Sequence, residues 1–143
     1  MEHSMNTTKK PTDSILTPEG WTWQDEHAFV QGRVVPAGAR TIYVAGQASV
    51  DPKGKVLHAG DMGAQIVQCF ANLETVLAEA GATLANVVRV MYLTPHMKAF
   101  FAVEQVLNHY LLERNCYPTS VLLGVQTLAD PDFMFEVEAI AVV

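Results

Sequence analysis

Two glutamates near the end of the chain have the residue type and spacing for proton transfer. Glu136 and Glu138 lie two residues apart in FEVEAIAV, and alternate residues of a strand point to the same face of a sheet. A carboxylate held beside a substrate can take or give a proton during the reaction. The commoner arrangement of such a pair is an ordinary solvated strand face, and the sequence leaves that interpretation open.

An isolated arginine is the second feature that suggests chemistry. Arg89 stands alone inside the apolar segment VVRVMYLT, and an unpaired buried charge costs several kcal/mol. We therefore expect Arg89 to have a partner. That partner is either one of the two glutamates, in a structural ion pair, or the carboxylate of a ligand held by the guanidinium.

The motifs of the common enzyme classes are missing from the chain. It has no G-x-S-x-G, no Walker A loop, no G-x-G-x-x-G and no C-x-x-C, and its 5 histidines lack the spacing of metal ligands. The two cysteines, Cys69 and Cys116, do not form a disulfide framework in a domain of this size. We predict no metal site.

Composition excludes several classes of partner. The chain has 143 residues, half of them hydrophobic, and a net charge of −6, and its longest basic run is Lys9-Lys10. Nucleic acid and anionic membranes attract basic surfaces, so neither is an expected partner. No apolar run reaches the ~18 residues of a membrane span, and the start of the chain lacks a secretory apolar region. We expect a small cytoplasmic protein.

The chain divides into a predicted flexible tail, residues 1–20, and a single domain, residues 21–143. Strand patterns occupy AFVQGRVV, TIYVAGQASV, VVRVMYLT, TSVLLGVQTL and FMFEVEAIAVV, and helical periodicity occupies residues 61–81, capped by Asp61, and 97–115. The order β-β-α-β-α-β-β predicts an α+β domain, a mixed sheet with two helices on one face. Two of the strands are apolar on both faces, which favours burial against another subunit.

Several of these segments together resemble the Rid family of reactive-intermediate deaminases, also called the YjgF/UK114 family. They are IYVAGQASVDPKG, QIVQCFANLETVLAEAGATLANVV, RVMYLT, FFAVEQVLNHYLLERNCYP and FEVEAIAV, in register over residues 28–143. The resemblance implies a chorismate-mutase-like fold and a homotrimer around a central barrel, with ligand clefts between subunits. Its enzymes hydrolyse imines or enamines of 2-keto acids to the keto acid and ammonia, without metal or cofactor.

The resemblance also implies a site that this chain has changed. The glutamate that positions water is kept as Glu136, and the glycine of the family's S-G-Q segment is kept as Gly46. The arginine that clamps the substrate carboxylate, in the family segment P-A-R-S, is Ser120 in PTSV. The serine of S-G-Q is Ala45, an early tyrosine corresponds to Phe29, and an asparagine on the second helix corresponds to Glu104.

The cost of losing this arginine for the binding of an anionic substrate can be predicted. Truncating one partner of a buried arginine–carboxylate contact costs on the order of 2–5 kcal/mol, which weakens handling of a small anionic substrate roughly 10²- to 10³-fold. We predict poor activity on short 2-imino acids and a neutral, larger or cationic ligand, with Trp21, Trp23 and Phe29 as an apolar wall. Backbone donors near Gly46 and Gly124 would hold its polar end. Whether Arg89, Arg40 or Arg33 replaces the clamp stays open.

Three functions are compatible with the sequence. The first is hydrolytic deamination of an imine or enamine other than a simple 2-imino acid, with Glu136 as the acid–base group. The second is a non-catalytic trimeric module that binds or senses a small molecule. The third is a chaperone-like role. The endoribonuclease role proposed in the family is disfavoured by the acidic charge of this chain.

Overall fold

A computed structural model describes residues 14–143 of the chain. Its strands and helices, in chain order, are β1 Ile15–Leu16, β2 Gly32–Arg33, β3 Thr41–Ala48, α1 Met62–Ala78, β4 Val87–Thr94, α2 Met97–Ala102, α3 Glu104–Glu113, β5 Thr119–Gly124 and β6 Glu136–Val142. Two 3-10 turns, Trp23–His27 and Leu84–Asn86, precede β2 and β4. No helix in this part of the chain is long and apolar enough to cross a membrane.

The main sheet has four strands in the order β3-β6-β4-β5. Strand β6 pairs antiparallel with both β3 and β4, whereas β5 pairs parallel with β4 and forms one edge. Strands β1 and β2 form a separate antiparallel pair. The predicted α+β class with a mixed sheet is confirmed.

Helix α1 covers one face of this sheet. It begins as predicted at Asp61, whose carboxylate accepts a hydrogen bond from the Ala64 amide at 3.0 Å. Its apolar stripe, which includes Ile66, Phe70 and Leu73, is buried. The helix ends at Ala78, before Gly81, which has a φ of 69° and takes the left-handed turn that follows.

Alternation along the central strands separates a core face from an outer face. Val90 and Tyr92 of β4 are buried in the core beneath the helices, and Val137 and Ala139 of β6 are buried beside them. Residues between these positions point to the other side. Glu136 and Glu138 therefore share the outer face, as predicted, and they stand opposite Leu93 and Met91 of β4.

The strand predicted at residues 28–35 is mostly absent from the structure. Of residues 28–35 only Gly32–Arg33 are in a strand, and Ala28 has a left-handed φ of 52°. Backbone groups of this segment bond to loops instead: the Val30 amide donates to the Pro118 carbonyl at 2.9 Å. Because no free edge of the main sheet receives the segment, its β propensity does not decide its structure.

The second predicted helix is two helices. Val103 separates α2 from α3 with φ −128° and ψ 18°, outside helical values, and its amide donates to the Phe100 carbonyl. Strands β5 and β6 are also shorter than their apolar runs. Part of the predicted tail, residues 1–13, lies outside the described residues, while Ile15–Leu16 pair with Gly32–Arg33. The domain boundary at residue 20 stays a prediction.

Candidate functional site

A cavity of about 360 Å³ lies between α2, α3 and the edge strand β5. Two aromatic pairs form its walls: Trp23 meets Phe29 edge-to-face at 5.2 Å between ring centroids, and Phe100 meets Phe101 in the same way at 5.4 Å. Trp23 is 58% exposed and Phe101 is 50% exposed. Large aromatic side chains that stay this accessible beside a cavity suit contact with a ligand.

The remaining walls come from the sheet and from α3. Strand β5 contributes Ser120, Val121 and Leu122, β4 contributes Tyr92, and α3 contributes Leu107. Because β5 pairs only with β4, its side chains at the sheet edge are accessible from the cavity. The lining is thus mostly apolar, with the Ser120 hydroxyl among its few polar groups.

One carboxylate enters this apolar lining. Glu104 begins α3, where the positive end of the helix dipole favours a negative side chain. Its side chain is only 16% exposed, and its Oε1 is bonded to Nδ1 of His27, which also lines the cavity. Neither lysine nor arginine is among the lining residues in the described part of the chain.

Glu136 occupies a different place, at the start of β6. Its carboxylate lies over Gly46, where an added Cβ would come within 2.0 Å of Glu136 Oε1. Gly46 and Ala45 form an irregularity in β3, between Val44 and Gln47, where the pairing with β6 shifts register. The side-chain amide of Gln47 donates to the Ala45 carbonyl at 3.0 Å.

The environment of Glu136 favours its protonated form. Burial raises the pKa of this carboxyl above its ordinary value, and the like charge of Glu138 on the same face raises that pKa further. A carboxyl with a raised pKa exchanges a proton more readily near neutral pH than an ordinary glutamate. A role for Glu136 in proton transfer stays a prediction.

The predicted site residues form two groups in one chain. Ser120, Phe29 and Glu104 line the cavity, whereas Glu136, Ala45 and Gly46 lie together at the β3–β6 pair. Ser120 stands beside the core-facing Val90, while Glu136 stands beside the outer-facing Leu93. The sheet thus separates the two groups.

Two further candidates lie outside both groups. Gly124 ends β5, where an added Cβ would lie 3.5 Å from the Met97 Cε atom. The position of Arg89 differs from the expectation that this arginine is buried and paired. It is exposed on the outer face, next to Ile140 and Thr119, with no ion pair within residues 14–143. The apolar run around it is buried on the core face only.

No arginine of the described chain lines the cavity. Arg33 donates to the Tyr117 carbonyl at 3.0 Å, and Arg114 pairs with Glu74 at 3.3 Å. The backbone of Arg40 pairs with that of Val143 at the end of the sheet.

The cysteines do not supply a nucleophile. Cys69 and Cys116 are both buried, and burial raises the pKa of each thiol to about 12. A thiol with that pKa stays protonated and unreactive at neutral pH. Residues 14–143 also contain no group of three or more His, Cys, Asp or Glu side chains placed to hold a metal ion.

Sequence reasoning missed seven cavity residues: His27, Tyr92, Phe100, Phe101, Leu107, Val121 and Leu122. It expected Trp21 in the apolar wall, but only Trp23 and Phe29 of that set line the cavity. The Phe100-Phe101 pair carried a usable signal, because adjacent residues of a helix cannot both face the core. Phe100 is 3% exposed, which leaves Phe101 for another surface.

Comparison with known proteins matches residues 24–143 to the family described as Endoribonuclease L-PSP. The chain belongs to this family. A RutC family protein of Pyrococcus abyssi is 34% identical over 100 residues, which cover 70% of this chain and 76% of the relative. A 2-iminobutanoate/2-iminopropanoate deaminase of Capra hircus is 32% identical over 103 residues, which cover 72% of this chain and 73% of the relative.

A solved structure matches the fold. The Rid family protein YyfB from Yersinia pestis, a protein of unknown function, is 32% identical with a TM-score of 0.82. The match covers 90% of this chain and 97% of that one. The Rid family membership inferred from the sequence is thus confirmed.

Proposed function

We propose that this Rid family protein hydrolyses imines or enamines that lack a free carboxylate, releasing ammonia, in a cleft completed by two subunits of a homotrimer. The deaminase relative supports the reaction class. The raised pKa of Glu136 supports its role in moving protons.

The composition of the cavity is the observation that carries this proposal. Ser120 stands where the resemblance places a clamping arginine, and Glu104 is the acidic side chain that lines the same cavity. A substrate carboxylate entering here would lose its hydration without gaining a cationic partner, and Glu104 would repel it. The same walls accept an apolar body without this penalty.

The chemistry balances without a cofactor. Water adds to the carbon of the C=N bond, so a C–O bond forms while Glu136 takes the water proton. Glu136 then returns this proton to nitrogen, which gives a carbinolamine. Glu136 next takes the proton of the carbinolamine hydroxyl and passes it to nitrogen as the C–N bond breaks, so that a carbonyl compound and ammonia leave. Gly46 lets the carboxylate lie close to the backbone, which limits the positions that it can adopt.

A second subunit is needed because one chain holds the cavity and Glu136 on different faces of its sheet. The outer face has the apolar character of a contact surface: Tyr43 is 78% exposed and Leu123 is 41% exposed, and Met91 and Leu93 share that face. Packing these faces around a threefold axis, as the resemblance implies, would bring Glu136 of one subunit towards the cavity of the next.

A trimeric binding or sensing module is the second candidate function. Its support is that the cavity lining within one chain does not include Glu136. A ligand held by the aromatic walls would then raise the melting temperature by mass action without being converted.

The decay of an imine made in solution tests the proposal. A flavin-dependent amine oxidase generates the imine of phenethylamine, and the decay of this imine is followed directly. We expect catalytic amounts of the wild-type protein to speed the decay, and Glu136→Gln to lose about 100-fold or more of this effect, the size usual for general acid–base groups. An unchanged decay with wild type would reject hydrolysis of this class, and stabilisation by the amine would then favour the binding module.

A further inference from the structure

The carboxylate of Glu104 is only half satisfied. Its Oε1 is bonded to His27, whereas Oε2 has no hydrogen-bond or ionic partner within residues 14–143. The side chain is 16% exposed and lies in a mainly apolar cavity. The Oε2 atom keeps some contact with water, since it is not among the buried polar atoms that lack a partner. In a mainly apolar cavity a carboxylate attracts a cationic donor more strongly than it does in open water, so the site favours a ligand that supplies a positive donor.

The aromatic walls suit the same kind of ligand. Trp23 and Phe29 are in edge-to-face contact, and Phe101 is half exposed beside Phe100. Aromatic faces attract cations through their quadrupole, and tryptophan does so most strongly. The cavity thus combines the mostly buried carboxylate of Glu104, which is bonded to His27, with aromatic surface.

We infer that the cavity binds an organic monocation, a substituted ammonium or a protonated imine. Its nitrogen donates to Glu104 Oε2, and its apolar body packs against Trp23, Phe29 and Phe101. His27 acts as a positioning residue because its bond to Oε1 orients the carboxylate. This inference rests on the proposed function only for turnover: it names the substrate class as cationic imines, while the binding itself requires no reaction.

Three probes of nearly equal size and different charge test the inference. Phenethylammonium is positive, 2-phenylethanol is neutral and phenylacetate is negative, and each is small enough for a cavity of about 360 Å³. Calorimetric titration of the whole chain should give phenethylammonium an affinity about tenfold or more above 2-phenylethanol, with phenylacetate weakest.

The variant Glu104→Gln tests whether the charge of residue 104, and not its shape, determines which probe binds. The amide keeps an acceptor for His27 and nearly the same volume, so 2-phenylethanol should bind within about twofold of wild type while the preference for the cation is lost. Glu113→Gln is the matched control, because Glu113 lies on the same helix, is 57% exposed and pairs with His109 at 3.0 Å. It should leave the preference unchanged.

Phe101→Leu gives a second readout that does not touch the ion pair. The substitution keeps an apolar side chain at a half-exposed position, so the fold should persist. It should reduce the affinity for phenethylammonium about three- to tenfold more than the affinity for 2-phenylethanol.

Three results would overturn the inference: equal binding of ammonium and alcohol by wild type, a preserved preference in a folded Glu104→Gln, or an equal loss in Glu113→Gln. The probes are not imines. A cation preference without imine hydrolysis would therefore reject only the proposed reaction, and hydrolysis without a cation preference would reject only this inference.

Discussion

Gly46 and Glu136 lie so close that a Cβ atom on residue 46 would stand 2.0 Å from the carboxylate oxygen Oε1 of residue 136. Because a real Cβ would also meet Cδ of Glu136 at 3.0 Å, any larger residue displaces this side chain. The irregular pairing of β3 with β6 brings the two residues together. Glycine at this position therefore sets where the proposed acid–base group stands.

Gly46→Ala should lower hydrolytic activity about tenfold or more while leaving the fold intact. The carboxylate is the end of a flexible side chain, so it moves aside at small cost in stability but loses its position, and misplaced catalytic groups lose rate steeply. Activity is read from imine decay and stability from a thermal melt. Gly63→Ala is the control, because an added Cβ there meets nothing closer than 3.8 Å. Full activity in Gly46→Ala would contradict the role of this contact.

Glu138→Gln should move the pH profile of the reaction. The charge of Glu138 raises the pKa of Glu136, so removing it lowers that pKa. If ionised Glu136 takes the proton from water, the acid limb of kcat/KM shifts to lower pH. Glu79→Gln removes an equal charge at the end of α1, where the helix C-terminus lies, and should leave the profile in place. A limb that does not move with Glu138→Gln would show that another group controls it.

Ser120→Arg should restore activity on short 2-imino acids when Glu104 is also replaced. The single variant places the guanidinium beside the Glu104 carboxylate in one cavity, where the two would pair with each other. The double variant Ser120→Arg, Glu104→Asn frees the arginine for substrate and should raise kcat/KM for 2-iminopropanoate roughly 10- to 100-fold. No gain in a folded double variant would mean that the cavity is not the carboxylate site of the relatives.

Mixed oligomers should reveal whether two subunits build one site. Glu136→Gln leaves the cavity intact, and Ser120→Trp fills the cavity but leaves Glu136 intact, so each variant alone should be inactive. Co-expressed in equal amounts, they should recover about a quarter of wild-type activity, because a random cyclic assembly pairs an intact cavity with an intact Glu136 at that frequency. If both groups act within one subunit, the mixture stays inactive.

Local patterns in the sequence predicted the elements that the core determines. The helix after Asp61 and the strand at residues 87–94 follow apolar periodicity, which burial directly imposes. The segment at residues 28–35 has the same strand propensity, but it bonds to the Pro118 carbonyl and to β1 and not to an edge of the main sheet. A long-range relation of this kind is not visible in a local pattern. The break at Val103 was equally hidden.

The candidate site was predictable in its residue types and not in its arrangement. Spacing placed Glu136 and Glu138 on one face, and the resemblance selected Ser120 and Glu104. Nothing in the linear pattern showed that the sheet separates Glu136 from the cavity, because that depends on the strand order β3-β6-β4-β5. Arg89 was misjudged for the same reason: an apolar run does not reveal which face of its strand is covered.

The most direct test of the account compares two imines that differ only in a carboxylate. An amine oxidase makes the imine of phenethylamine, and an amino-acid oxidase makes the 2-imino acid of phenylalanine. The wild-type protein should accelerate hydrolysis of the carboxylate-free imine about tenfold or more above the 2-imino acid, since the cavity repels the anion and offers it no cationic partner. Faster hydrolysis of the 2-imino acid would contradict the account, because it would require a carboxylate anchor that Ser120 does not provide.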